Sequence, residues 1–202
     1  MKTTKSKLLL WVVPLIILVV LFIYSMVIRN KLVAADEMVK NQWGNLQGSY
    51  QRRADLVPQL VQVVKGVSEY EKDVLKNVAE ARANIGKVSF VGTPNNKDFS
   101  NVEIVQGNLV KATNVAIGII EKYPDIQGTK NYLMLQEQLV GTERRVNYSR
   151  RDFNSAIKEY NILARNFPSS LVAKLFSFAP KDGFKADDGS GEAPQISFSN
   201  TK

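Results

Sequence analysis

LVAADEMVKNQWGNLQGSYQRRADLVPQLVQVVKGVSEYEKDVLKNVAEARANI, residues 32–85, threads onto a single 3-4 alternation. The positions are Leu32, Asp36, Val39, Trp43, Leu46, Tyr50, Arg53, Val57, Leu60, Val64, Val67, Glu71, Val74, Val78, Ala81 and Ile85, and thirteen of these sixteen are apolar. That period keeps one helix face against neighbouring helices, whereas a half-buried strand alternates every second residue. The spacing returns in Val102, Val105, Leu109, Ala112, Ala116 and Ile119, and again in Tyr132, Leu135, Leu139, Val146, Phe153, Ala156, Tyr160, Leu163 and Phe167. The expected fold class is all-α.

Loop residues divide the pattern at Gly86–Ser100 (GKVSFVGTPNNKDFS) and at Tyr123–Thr129 (YPDIQGT). Pro168 should stop the last long helix after Phe167, with Ser169 capping a short one that runs to about Ser177. Beyond it the chain has no period and is rich in Gly, Ser, Asp and Pro, so residues 179–202 read as a disordered tail.

Pro58 poses the architectural question, because a proline inside a helix loses a hydrogen bond and clashes with the preceding turn, at a cost of about 3 kcal/mol. The register crosses it without a skip, as a kinked continuous helix would. A helix over 30–87 would be about 87 Å long, however, and the two that follow only about 33 and 55 Å. It would leave Trp43, Leu46 and Tyr50 uncovered without a second chain. A reversal at Asp55–Pro58, with Asp55 as cap and Pro58 in the first turn, gives four helices of similar length and is the favoured reading. The bundle is then an up-and-down antiparallel four-helix bundle over residues 30–178.

Before it lies LLLWVVPLIILVVLFIYSMVI, residues 8–28, with no charge inside. At 1.5 Å per residue it spans about 31 Å, the thickness of a bilayer's hydrocarbon core. Trp11 and Tyr24 stand near its ends, where amphipathic rings favour the interface. The run is longer than a signal-peptide core, and Arg29, Asn30 and Lys31 follow it instead of a small-residue cleavage pattern. A single uncleaved transmembrane helix is expected, with residues 1–7 as its basic flank. Lys2, Lys5, Lys7 and the amino terminus before the span slightly outweigh Arg29, Lys31 and Lys40 after it. This favours a cytoplasmic N-terminus in the plasma (inner) membrane and a bundle on the extracytoplasmic side.

The net charge of +8 suggests a nucleic-acid footprint until it is divided. Residues 1–31 hold five basic and no acidic side chains, leaving only +3 for the rest, and no nucleic-acid-binding motif is present. Arg144, Arg145, Arg150 and Arg151 are the exception. They read either as a solvated helix face beside Glu143 and Asp152 or as a contact for anionic lipid or an acidic partner.

Without histidine or cysteine, the common catalytic triads, thiol nucleophiles and zinc ligand sets cannot be assembled. Gly86–Ser89 lacks the upstream glycine of a phosphate loop, since Ala81 stands there. The carboxylate groups Asp36-Glu37, Glu69-Glu71-Asp73 and Asp187-Asp188 lie among lysines and read as solvated surface. No catalytic, cofactor-binding or metal-ligating residue is assigned, and no cofactor is expected. Arg53 on the apolar seam needs a carboxylate, because burying a lone charge is expensive. Arg52, Arg53, Asp55 and Pro58 are therefore expected to set the helix turn, with Glu143 or Asp152 as the acidic partner.

Two segments, residues 51–85 and 123–178, resemble the signature blocks of the LemA family. The likeness is carried by Arg52-Arg53-x-Asp55-Leu56-x-Pro58, Val64-Lys65-Gly66, Tyr123-Pro124-Asp125 and Asn166-Phe167-Pro168, in this order. Gln59 replaces a frequent asparagine and Tyr70 a frequent histidine. The resemblance implies a bacterial envelope protein with an N-terminal membrane helix and a helical bundle, sometimes encoded near membrane metalloproteases. Family descriptions often place the short N-terminus outside, opposite to the charge count. The expected role is a non-enzymatic adaptor or scaffold, tethered to the bilayer through residues 8–28, with a protein partner of unassigned identity, a membrane protease or a second copy being the candidates. The rivals are an oligomerising membrane-shaping protein that lays the four arginines on lipid, and a modulator of a membrane metalloprotease.

Overall fold

A computed structural model describes residues 3–64, 71–87, 96–122 and 128–184, and all regular structure among them is helical. The helices are α1 (Thr3–Val64), α2 (Glu71–Lys87), α3 (Asn96–Ile120), α4 (Lys130–Arg165) and α5 (Ser169–Leu175). Val67, the Tyr123-Pro124-Asp125 turn and Asp187-Asp188 lie outside the described residues.

The expected reversal at Asp55–Pro58 does not occur. α1 is a single 62-residue helix that carries both Pro14 and Pro58 in its interior. Around Pro58 the side chains of Ala54, Leu56, Val57 and Leu60 are all buried. Burying a large aliphatic side chain contributes about 1.5–3 kcal/mol, so three of them outweigh the ~3 kcal/mol cost of the proline. Among the described residues, α1 ends at Val64 and α2 begins at Glu71, and this resolves the length mismatch. Residues 29–64 of α1 match the 36 residues of α4, its antiparallel partner and main neighbour. The four-helix, up-and-down bundle stands, with α1 entire rather than divided.

The seam residues fill the core as the spacing predicts. Leu32, Val39, Leu46, Val57 and Leu60 are fully buried, and Trp43, Tyr50, Val78 and Ala81 nearly so. The core has two parts. In the half farther from the span, α1, α2, α3 and α4 pack together through Val57, Leu60, Val78, Leu109, Ala116 and Leu135. In the half nearer the span, α1, α3, α4 and α5 enclose Leu32, Trp43, Phe99, Phe153, Tyr160 and Val172.

Residues 178–184 close this nearer half, where α2 is too short to reach. Residues 179–184, expected in the disordered tail, are therefore docked on the bundle, and the rest of that expected tail, 185–202, lies outside the described residues. Tyr160 Oη donates to the Ala179 carbonyl (2.9 Å), Asn161 Nδ2 donates to the Lys181 carbonyl (2.8 Å) and Lys181 N donates to Asn161 Oδ1 (2.8 Å). Asn154 holds Phe184 in the same two-way manner, through Phe184 N to Oδ1 (3.0 Å) and Nδ2 to the Phe184 carbonyl (3.1 Å). The Phe184 ring then joins Trp43, Phe99 and Phe153, with centroids 6.3, 4.8 and 5.8 Å away. Phe99 was expected in a loop, yet α3 begins at Asn96 and buries it edge-on against Trp43.

Two further details differ from the sequence reading. Phe167 falls beyond the end of α4 and is 81% exposed rather than in the seam. Ser169 does not cap α5 from its N-terminus; its hydroxyl donates to the Leu163 and Asn166 carbonyls at the end of α4 (2.7 and 2.8 Å).

Candidate functional site

A polar layer separates the two halves of the core. Arg53, one of the three polar seam residues, is buried there between α1, α3 and α4. Its Nη2 donates to Glu143 Oε2 (2.5 Å) and its Nη1 to Gln106 Oε1 (3.2 Å). Nε has no hydrogen-bond partner among the described residues. Burial pulls the guanidinium pKa down while the Glu143 charge pushes it up, and burial prevails. Beside it, the Ser49 and Ser149 hydroxyls share a hydrogen bond (3.0 Å) and Arg150 Nη2 donates to Glu103 Oε1 (2.6 Å). Tyr50 lies in the same layer, and desolvation raises its phenol to about 12.

The sequence-predicted cluster is thus only partly assembled. Arg53 finds Glu143, one of its two expected partners, while Asp152 is exposed on α4. Arg52 points to solvent. Asp55 is exposed, accepts from Gln51 Nε2 (2.9 Å) and lies 4.0 Å from Arg82 Nη2 of α2. With Pro58 in mid-helix, the group ties α1 to its neighbours instead of forming a turn. Gln106 and Thr113 were missed, although threading α3 as Val102, Gln106, Leu109, Thr113, Ala116 and Ile120 keeps the 3-4 alternation and makes all six buried.

Asp36, another polar seam residue, is met by Lys40 of α1 and by Lys181 of the closing segment, each at 2.9 Å. Desolvation raises its pKa, but hydrogen bonds and charge from Lys181 and Lys40 overcome this and hold it below the ordinary value. Lys40 is correspondingly raised by Glu37 and Asp36. Glu71, the third polar seam residue, opens α2.

The four arginines do not share one face. Arg150 turns inward, pairs with Glu103 and lies over the Phe184 ring (4.5 Å). Arg145 points away on its own. Arg144 and Arg151, seven residues apart, lie on an outer stripe of α4 with Leu133, Val140 and Tyr148, all exposed. Arg151 stacks over Tyr148 at 5.1 Å. Tyr148 between two arginines, on the same exposed face as Leu133, Glu137 and Val140, forms a surface suited to protein contact.

No group of three or more carboxylates able to hold a metal occurs among the described residues. The surface hollows are open grooves, of which one of about 610 Å³ lies between α1 and α4 and is lined by Gln59, Gln62, Val63, Asn131, Met134 and Gln138. At the other end, residues 11–27 carry their large apolar side chains outward, and the helix they belong to is long and apolar enough to cross a membrane.

A family model described as LemA family matches residues 42–198. The chain is similar to the magnetosome proteins MamQ 1 and MamQ 2 of Paramagnetospirillum magneticum. Each is 24% identical over 197 residues, which cover 88% of this chain and 72% of the relative. It is also similar to Protein LemA of Metamycoplasma hominis, 20% identical over 146 residues that cover 72% of this chain and 64% of that protein.

Proposed function

The chain belongs to the LemA family, and from that premise we propose that it is a non-enzymatic adaptor of the cell envelope. It would be held in the inner membrane by α1 and grip a protein partner with the outer stripe of α4. The exposed stripe itself carries this reading: Leu133, Val140, Arg144, Tyr148 and Arg151 line one helical face. The charged groups inside the bundle are already engaged with one another, as Arg53 with Glu143 and Asp36 with Lys181, which leaves recognition to outer surfaces. The arginine cluster is also poorly sited to lie on lipid. Ser149 sits opposite Ser49, roughly twenty residues and about 30 Å along the helix from the end of the apolar span.

The small charge bias around the span supports an extracytoplasmic bundle. A single cysteine at Ser155, exposed on α4, should label with an impermeant maleimide in intact cells whose outer membrane, if any, has been permeabilised. A photo-crosslinking residue at Tyr148 should give a discrete adduct in those cells, lost when Arg144 and Arg151 become glutamate. Adducts to a second copy or to a membrane protease would name the partner. An adduct pattern no different from one obtained at Lys111 on α3 would end the adaptor reading.

A further inference from the structure

The end of the bundle beside the membrane carries a second apolar surface. α5 is seven residues long and packs Val172 and Ala173 against Ile28 and Leu32 of α1, at the point where the apolar span ends. Its other side is apolar too. Leu171 is 61% exposed and Leu175 74%, one turn apart; Phe167 precedes them at 81% and Phe176 follows, its ring 5.4 Å from the Arg29 guanidinium. A short surface helix gains nothing in water from four large apolar side chains pointing outward.

Two observations bear on what covers them. The patch is continuous with the span, because Phe176 touches Arg29, the first residue after it, and Val172 shares a core with Ile28. Exposed cations also flank the patch, namely Arg29 against Phe176, Arg165 two residues before Phe167, and Lys174 within α5. Apolar side chains flanked by cations at this depth are the composition of an element lying in the headgroup region.

We infer that α5 and the Phe167 corner form an interfacial foot that inserts Phe167, Leu171, Leu175 and Phe176 into the leaflet from which α1 emerges. The inference rests on α1 crossing the membrane. It gives the bundle two attachments instead of one. α1 sets the axis, the foot prevents rotation about it, and the outer stripe of α4 is presented at a fixed height and direction.

The absence of native cysteine allows a direct test on the full chain in vesicles of phosphatidylcholine with a minor fraction of phosphatidylglycerol. Nitroxide labels are placed singly at Leu18→Cys in the span, Leu175→Cys in the foot and Val140→Cys on the bundle. Their collisions with oxygen, which dissolves in lipid, are compared with those of a water-soluble nickel chelate. The label at 175 is expected to favour oxygen, at about 5–10 Å below the headgroups, between the deep label at 18 and the aqueous one at 140. Changing Leu171 and Phe176 to serine should shift the 175 label toward the aqueous value and leave the label at 18 unmoved. An aqueous 175 with a deep 18 overturns the foot and leaves the span intact; an aqueous 18 overturns the span itself. A 175 label shielded from both reagents, with dipolar coupling between copies, assigns the patch to self-association and also overturns the foot.

Discussion

Removing the Glu143 carboxylate should cost more than removing the guanidinium it serves. Arg53 is 7% exposed, with Nη2 on Glu143, Nη1 on Gln106 and Nε without a partner among the described residues. In Glu143→Ala the arginine keeps its charge and retains only the neutral Gln106 amide. Breaking a buried pair from one side costs about 3–5 kcal/mol. The Glu143 side chain is 48% exposed, so water replaces part of what is lost. About 2 kcal/mol remains, which for a chain of this size lowers Tm by about 4–8 °C. Arg53→Met instead removes the buried charge and its orphaned Nε, keeps an unbranched apolar stem and frees Glu143 to be hydrated. Gln106 loses one partner, at about 1 kcal/mol, and the apolar replacement offsets much of this, so the change should stay within about 1 kcal/mol. Thermal melts of the full chain in mild detergent, followed by far-UV circular dichroism, read both changes. The double variant should recover most of the Glu143→Ala loss, because the two groups form one coupled unit. A Glu143→Ala protein that melts with the wild type, or an Arg53→Met protein that melts below Glu143→Ala, would refute this account of the polar layer.

Four other outcomes follow from the same structure. Phe184→Ala removes the half-buried ring that meets Phe99, Phe153 and Trp43 and should cost about 2 kcal/mol, visible as a lower Tm and faster proteolysis after residue 178. A Cβ at Gly183 would stand 2.7 Å from Asn154 Oδ1, the acceptor of the Phe184 N–H, so Gly183→Ala should lose about 1–2 kcal/mol by the same melt. The Asp36 pKa is lower folded than unfolded, so its contribution is complete above the ordinary value of 3.8 and is lost as pH falls through the folded value. Wild type should therefore melt above Asp36→Asn at neutral pH, and the two curves should converge under strong acid. Ser177 takes a φ of 59° at the end of α5, where Phe178 N donates to the Ala173 carbonyl and Ser177 N to that of Lys174. Glycine occupies this left-handed position without strain, and Ser177→Gly should raise stability by about 1 kcal/mol, a gain of roughly 2–4 °C in Tm.

The candidate site was legible only where one helix carries its whole signal. Arg53 stood out as a charge on an apolar seam, and its need for a carboxylate pointed to Glu143 or Asp152, between which only the packing of α4 decides. Gln106 lay on an equally regular alternation in α3 that a neighbouring apolar register concealed. Arg150 could not be told from Arg144, because the difference between pairing with Glu103 and facing solvent is made by α3, and no local signal in α4 records it. The same limit hid the closing segment. Asn154 and Asn161 are seven residues apart and face one way on α4, yet nothing before the fold says that they hold the backbone of residues 181 and 184.

Periodicity and composition alone determined the helical class, the apolar span, the seam residues of α1 and the absence of histidine and cysteine chemistry. Each is a property of one helix or of the residue inventory, and needs no knowledge of neighbours. The unbroken course of α1 through Pro58 was decided by tertiary packing, because burial of Leu56, Val57 and Leu60 against the other helices outweighs the local cost of the proline. The docking of Phe184 and the exposure of Leu171 and Leu175 beside Ile28 were likewise settled there. Both depend on α2 stopping short of the nearer half of the bundle and on α4 returning to the end of the span, and these are relations between helices that no single segment encodes.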